Sequence, residues 1–244
     1  MKTQITSQHR IRWQNKPILR TIYTDYYRRI IEQCISGKTL EIGGGTGNLK
    51  EYLPEVVSTD IVPNSWLDAV ADAQSLPFSD GSFVNIVGVD VLHHIERPRR
   101  FLAEASRVLQ PGGRIVLIEP AITPGSWCFY KYVHPEPLDL KIDPLEDGPL
   151  NPNRQPFDAN QGIPTLLFRR HQKSIETVFP LLKVKGAAYL SLFAYPLSGG
   201  FRRWSFIPQK LAGPVLRFED LVAPWLGKWL GFRLIIVVEK VKEN

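Results

Sequence analysis

The feature that most restricts this chain is the run Leu40-Glu41-Ile42-Gly43-Gly44-Gly45-Thr46-Gly47-Asn48-Leu49. Leu40 to Ile42 read as a short buried strand, and four glycines within the next five residues stop any regular element from continuing. Asn48, Leu49 and Lys50 then open what reads as a helix. Glycine is needed where a chain turns tightly and where its backbone must approach a ligand with no Cβ in the way. A strand, a glycine turn and a helix start also aim free N–H groups and the positive helix end at whatever sits in the turn. In a parallel α/β sheet such ligands lie beyond the carboxyl ends of the strands.

Further strands are expected at Val56–Ile61, Val84–Val89, Ile115–Pro120, Leu182–Phe193 and Phe232–Glu239. Apolar residues at helical spacing predict a helix from Pro17, through Ile18, Ile22, Tyr26 and Ile30, ending at Gly37. A second helix carries Phe101, Leu102, Ala105 and Val108 on its apolar side and stops at Pro111-Gly112-Gly113, and a third spans Pro164 to Pro180. With 244 residues, 43% of them hydrophobic, the chain can bury one α/β core with insertions to spare. No apolar run reaches the length of a membrane span, and Met1 to Thr6 lack the apolar stretch of a secretory leader. Cys34 and Cys128 form no metal or redox spacing, so a reducing, cytoplasmic setting is expected. The net charge of +6 biases the chain toward phosphate-rich surfaces without naming one. Basic and aromatic residues interleave up to Ser36, a mixture that nucleic acid can read, but an amphipathic helix with a solvated face explains it more simply.

Two kinds of glycine loop compete for residues 43–47. A dinucleotide-binding loop needs Gly-x-Gly-x-x-Gly, and read from Gly45 no third glycine arrives at that offset. Glu41-x-Gly43-x-Gly45-x-Gly47 instead resembles motif I of the class I S-adenosylmethionine-dependent methyltransferases. Asp60, at the end of the next strand, can accept hydrogen bonds from both hydroxyls of a ribose. The stretches Asp72-Ala73, Leu76-Pro77-Phe78 and Asp80-Gly81-Ser82-Phe83 match the pattern of the same enzymes. So do Leu92-His93-His94-Ile95 and Arg107-Val108-Leu109-Gln110-Pro111-Gly112-Gly113-Arg114, which closely resemble the type 11, small-molecule subfamily. The likeness runs from about Thr39 to Pro120, half of the chain.

The resemblance implies a Rossmann-like, doubly wound α/β sheet of seven strands, mostly parallel with an antiparallel last strand. It implies S-adenosylmethionine as cofactor, held by Glu41, Gly43, Gly44, Gly45, Gly47, Asp60, Ile61, Asp72, Ala73 and Asp90. In it Asp72 would meet the adenine amino group and the Ala73 backbone the ring edge. His93 or His94 could serve as general base, because imidazole titrates near neutrality. Either could equally orient the loop, and His94 matches the position beside the pocket more closely. No metal is implied, since no His/Asp/Glu spacing proposes one.

Beyond Pro120 the likeness fades. Residues 121–163 are rich in proline and show no clear period, as expected of an ordered lid over a pocket. Within it His134 is a candidate base, and Glu136 is available to a substrate. A second insertion, 195–231, carries Trp225 and Trp229 among leucines at helical spacing, close to Lys210, Arg217 and Lys228. Core or cap packing is its simplest role, while a peripheral membrane contact and a dimer contact stay open. The expected organisation is one domain, 1–244, with an N-terminal helical segment at 1–37, a cofactor core at 38–120 and the two lid insertions. The expected function is methyl transfer to a small molecule, a hydroxyl of a lipid-linked, sugar or aromatic compound, with nucleic acid disfavoured. The alternatives are a non-catalytic protein that keeps the fold and, against the glycine spacing, a nicotinamide-dependent dehydrogenase.

Overall fold

The computed structural model describes residues 2–242. Helices α1 (Lys2–Asn15) and α2 (Pro17–Gln33) precede strand β1 (Thr39–Glu41). Strands β2 (Val57–Asp60), β3 (Ala69–Val70) and β4 (Phe83–Val89) follow, then α3 (Pro98–Val108) and β5 (Leu109–Pro120). After α4 (Pro124–Tyr132), α5 (Ile163–Thr165) and α6 (Gln172–Val178) come β6 (Leu182–Leu190), α7 (Ala194–Ser198), α8 (Ala212–Leu230) and β7 (Arg233–Lys240). The sheet order is β3-β2-β1-β4-β5-β7-β6. Strands β1 to β5 pair in parallel, and β7 runs antiparallel between β5 and β6. This is the seven-stranded arrangement expected from the sequence.

Alternation along the strands divides the core into two layers. Ile86, Ile115, Leu117, Leu234 and Ile236 face α3, where Phe101, Leu102, Ala105 and Val108 are buried. Their neighbours Val87, Val116 and Ile118 face the other way, onto Ile18, Leu19, Ile22 and Ile30 of α2. Both faces of the sheet are covered, so every central strand reads as a continuous apolar run.

Four local readings need correction. The expected helix after the glycine loop is only a 3-10 turn, Asn48–Glu51, because Pro54 follows too soon for a second turn to form. The stretch after Pro120 is not wholly irregular, for α4 begins there: Thr123 and Ser126 exchange reciprocal capping hydrogen bonds, with Pro124 at the first helical position. The expected helix from Pro164 to Pro180 is split by a π-turn over 166–170, where Leu166, Leu167 and Phe168 are all buried, more of the circumference than one face of a regular helix offers. Finally, the tryptophans of 195–231 do not pack in the core. Trp225 is 67% exposed and Trp229 51%.

Candidate active site

Beyond the carboxyl ends of β1, β2, β4 and β5 lies a cavity of about 630 Å³. The glycine loop forms one wall. Gly43, Gly45 and Gly47 have φ of 61°, 41° and 70°, a region that L side chains rarely adopt. A Cβ at Gly43 would lie 2.4 Å from Val91, and one at Gly47 would lie 2.6 Å from the Trp66 ring. At Gly45 nothing stands closer than 3.7 Å, so the loop backbone there is bare toward the cavity. Glu41 lies beneath the loop, where its carboxylate accepts the Ser58 hydroxyl and burial pushes its pKa up to about 7. Asp60 accepts the Gly45 N–H at 2.9 Å and the Val62 N–H at 2.8 Å, and its carboxylate still borders the cavity. The two turns are thereby locked to each other. Burial raises the Asp60 pKa, against hydrogen bonds from the backbone that lower it.

Every expected cofactor residue lines this cavity except Gly47. That glycine serves the turn, where it admits Trp66, whose Nε1 donates to the Gly45 carbonyl at 2.9 Å. Asp72 is held in a local turn by the N–H of Gln74 at 2.9 Å, with Ala73 beside it, and Ile61 stands nearly half exposed at the rim.

The part of the wall formed by Val91, His93 and His94 is held from behind by Glu119, near the end of β5. Its carboxylate is wholly buried and accepts the N–H groups of Val91 and Leu92 and the Nδ1 of His93, each at 2.7 Å. Burial raises the Glu119 pKa, but the hydrogen bond and charge of His93 outweigh this and hold it below the ordinary carboxylate value. The Nε2 of His93 faces Glu136 at 3.5 Å. Burial alone would lower the His93 pKa, yet the hydrogen bonds to Glu119 and Glu136 push it up to about 9. His93 is therefore a fixed imidazolium between two carboxylates. One ring nitrogen each of His93 and His94 and a Glu136 carboxylate oxygen lie within 4.8 Å of one another, the spacing of a metal site, but both nitrogens of His93 are already turned to carboxylates.

The other two histidines are neutral. Burial lowers both to about 4, against the opposing charge of Glu136, with the His93 cation adding to the effect at His94. The Nδ1 of His94 lies 3.3 Å from the Asp158 carbonyl, which can only accept, so Nδ1 carries the proton and Nε2 keeps a free lone pair. At His134 the Nδ1 accepts the Glu136 N–H at 3.3 Å, which leaves Nε2–H as a donor. The three expected histidines thus share one cavity in three different states.

Arg233, Gln161 and Glu119 belong to no sequence motif. Arg233, 3% exposed at the start of β7, pairs with Asp90 at 3.2 Å and lies 4.2 Å from the centre of the Tyr195 ring. Its Nε and Gln161 Oε1 are buried atoms with no hydrogen-bond partner in a wall of the cavity, where such atoms call for a polar ligand, while Asp90 Oδ1 has only the Arg233 ion pair. Asp90 itself is held at φ 56°, an uncommon angle for a residue with a side chain. Arg233 interrupts an otherwise apolar strand and Glu119 ends one, which are the only sequence signals either gives. The bare glycine backbone, the ribose-sized acid at the second strand and these unpaired atoms fit an elongated polar cofactor such as S-adenosylmethionine.

Comparison with known proteins agrees. The sequence family described as methyltransferase domain, type 11, matches residues 40–117. A phthiotriol/phenolphthiotriol dimycocerosates methyltransferase of Mycobacterium tuberculosis is 52% identical over 36% of this chain and 40% of its own. A demethylmenaquinone methyltransferase of Clavibacter sepedonicus is 40% identical over 29% of this chain and 31% of its own. The chain spans about half or less of the curated relatives it matches. Among solved structures, a geranyl diphosphate methyltransferase in complex with S-adenosylmethionine aligns with TM-score 0.52 over 89% of this chain and 85% of its own, at 14% identity. The cyclase SpnF aligns equally well, with TM-score 0.52 at 15% identity over 90% and 81%, so this likeness speaks to fold alone. Residues 40–117 match the type 11 methyltransferase domain, and the motifs and the seven-stranded sheet around them resemble those of the class I S-adenosylmethionine-dependent methyltransferases.

Proposed function

We propose that this protein transfers a methyl group from S-adenosylmethionine to a hydroxyl of a small, lipophilic acceptor. The observation that carries the reading is that the glycine loop with Asp60 and the His93-His94 turn line one cavity. The loop backbone at Gly43, Gly44 and Gly45 and the Asp60 carboxylate would hold the cofactor's amino-acid and ribose parts, with Ile61, Asp72 and Ala73 at its base and Glu41 bracing the loop from below. When bound, the cofactor supplies an already activated methyl group, so the chain's own work is alignment, exclusion of water and removal of one proton.

His94 Nε2 is the proton acceptor in this reading. It is neutral across the physiological range and keeps a free lone pair, whereas His93 is already protonated. The Nε2–H of His134 is placed to donate to an oxygen of the acceptor, and Glu119 with His93 fixes the turn that carries His94. Phe129, Phe157, Tyr195, Phe201 and Trp204 border the same cavity and favour an apolar or aromatic acceptor. Two of the relatives are named for lipid and quinone acceptors, which supports that class. The insertion 195–231 supplies several of these residues, so a lipophilic acceptor would enter past it.

The test is calorimetric titration with S-adenosylhomocysteine, with NADH as comparator. Micromolar binding of the first and none of the second is expected. Asp60→Ala should weaken it roughly 10- to 100-fold, the worth of two hydrogen bonds to a charged group. A folded protein that binds neither compound would overturn the reading.

A further inference from the structure

Helix α8 is built inside out. Its buried positions are Ala212, Glu219 and Gly227, while Phe218, Leu221, Trp225, Leu226 and Trp229 are exposed. Glu219 is buried because its carboxylate accepts the backbone N–H groups of Phe193 and Ala194 at the entry to α7. Gly227 and Gly231 are small because Tyr189 of β6 lies directly beneath them, where a Cβ would come to 2.8 and 2.9 Å. The helix thus lies close on the sheet at Gly227 and Gly231, with Val215 and Leu216 of its first half partly buried against the core, and turns Phe218, Leu221, Trp225, Leu226 and Trp229 outward. Positions 218, 221, 225 and 229 fall on one stripe of about 16 Å at 1.5 Å per residue. At its C-terminal end the stripe meets α4, where Gly125 fits against Trp229 and Leu230, and α4 adds exposed Trp127 and Tyr132. Apolar exposure on this scale marks an interaction surface.

The charge around it is one-sided. Residues 195–231 hold five cations, Arg202, Arg203, Lys210, Arg217 and Lys228, against two acids. Of the acids, Glu219 is buried and Asp220 is paired with Arg29 at 2.5 Å. None of the five cations makes an ion pair among the described residues. Tryptophan, phenylalanine and leucine on one helix face, flanked by unpaired lysine and arginine, match the interfacial zone of an anionic bilayer. No helix among the described residues is long and apolar enough to cross one.

We propose that the outward face of α8, continued by Trp127 and Tyr132 of α4, docks the protein on an anionic lipid surface. Trp204 and Arg202, in the same insertion, also border the cavity, so docking brings the cavity mouth toward the bilayer. The inference does not depend on the methyl-transfer reading, because it rests on the outside of the helix alone.

The experiment is co-sedimentation of the full chain with vesicles of phosphatidylglycerol and phosphatidylcholine, or of phosphatidylcholine alone. Binding to the anionic vesicles is expected, weakened by added salt. The double variant Trp225→Ser, Trp229→Ser should reduce partitioning at least roughly tenfold, and Arg217→Glu, Lys228→Glu should remove the preference for anionic lipid. Circular dichroism and affinity for S-adenosylhomocysteine should stay as in the parent in both variants, which separates this result from failure of the cofactor reading. Absence of vesicle binding by the folded parent would overturn the proposal. So would a dimer at micromolar concentration that the tryptophan variant dissociates, since a second copy would then cover the face.

Discussion

His93 and His94 are neighbours in different protonation states, one cationic and one neutral, and two predictions separate them. His93 has a folded pKa near 9 against an unfolded value near 6.5, so its contribution to stability is complete below about pH 6.5 and is lost as pH rises through 9. A shift of that size corresponds to about 3 kcal/mol. Chemical denaturation from pH 6 to 10 should show the decline in the parent. Glu119→Gln, which removes the partner on Nδ1, should begin about 3 kcal/mol lower at pH 6 and decline far less. Equal pH dependence in the two proteins would refute the ion pair. His94 behaves in the reverse way: burial holds its pKa near 4, so the folded state resists the proton and loses stability between about pH 6.5 and 4. As the proposed base it should matter to turnover more than to binding. His94→Gln should lower kcat roughly 100-fold or more while leaving S-adenosylhomocysteine affinity within about twofold. An unchanged kcat would move the proton to water or to Glu136. The pair itself was legible in the sequence, but the role of each member was not, because it is set by Glu119, Glu136 and Asp158, which lie 26, 43 and 64 residues away from their partners.

At the scale of elements, the glycine loop tests whether its residues are fixed by space or by backbone angle. Gly44 has no positive φ, yet a Cβ there would meet Ser58 Oγ at 2.3 Å and Glu41 Oε2 at 2.9 Å. Gly44→Ala should therefore cost about 1–3 kcal/mol, from overpacking of the Glu41 carboxylate, and should weaken S-adenosylhomocysteine binding. Gly186 in β6 has open space where a Cβ would stand. Gly186→Ala should be neutral or stabilising by up to about 1 kcal/mol. Thermal unfolding of both variants checks the contrast, and a harmless Gly44→Ala would mean that Ser58 and Glu41 move aside freely. The sheet was readable because both faces are covered and each strand shows as an apolar run. Elements defined by one local exception were not. The turn at Asn48 stays short because of Pro54, α4 hides among prolines behind a Thr123-Ser126 cap, and α8 shows a helical period with no sign of which side faces the core.

Over the whole molecule, the roof of the cavity comes from two segments that the sequence keeps far apart. Thr6 and His9 of α1 and Tyr23 and Tyr27 of α2 border the cavity, as do Tyr195, Gly199 to Arg202 and Trp204. His9 stacks on Phe201 with ring centres 4.5 Å apart. What joins them is Lys16, between α1 and α2, 8% exposed, whose Nζ lies within hydrogen-bond distance of the Ser198, Gly200, Arg202 and Trp204 carbonyls at 2.6 to 2.9 Å. Gly199 and Gly200, at φ 73° and 52°, curl the loop so that alternate carbonyls converge on one cation. Nothing in the pattern of residues 1–37 announces this, since a lysine between two helices reads as solvated, and the partner carbonyls belong to backbone. Lys16 thereby ties the N-terminal helices to the 195–231 insertion, and we propose that the two act as one lid. Lys16→Met keeps the apolar stem but leaves the carbonyls without their cation, at a cost of about 2–3 kcal/mol. Hydrogen exchange should show the amides of 198–206 opening faster while those of β4 and β5 keep their protection. Binding of S-adenosylhomocysteine should weaken only to the extent that the lid covers it. If exchange rises uniformly across the sheet instead, Lys16 supports global stability and the lid is not a separate unit.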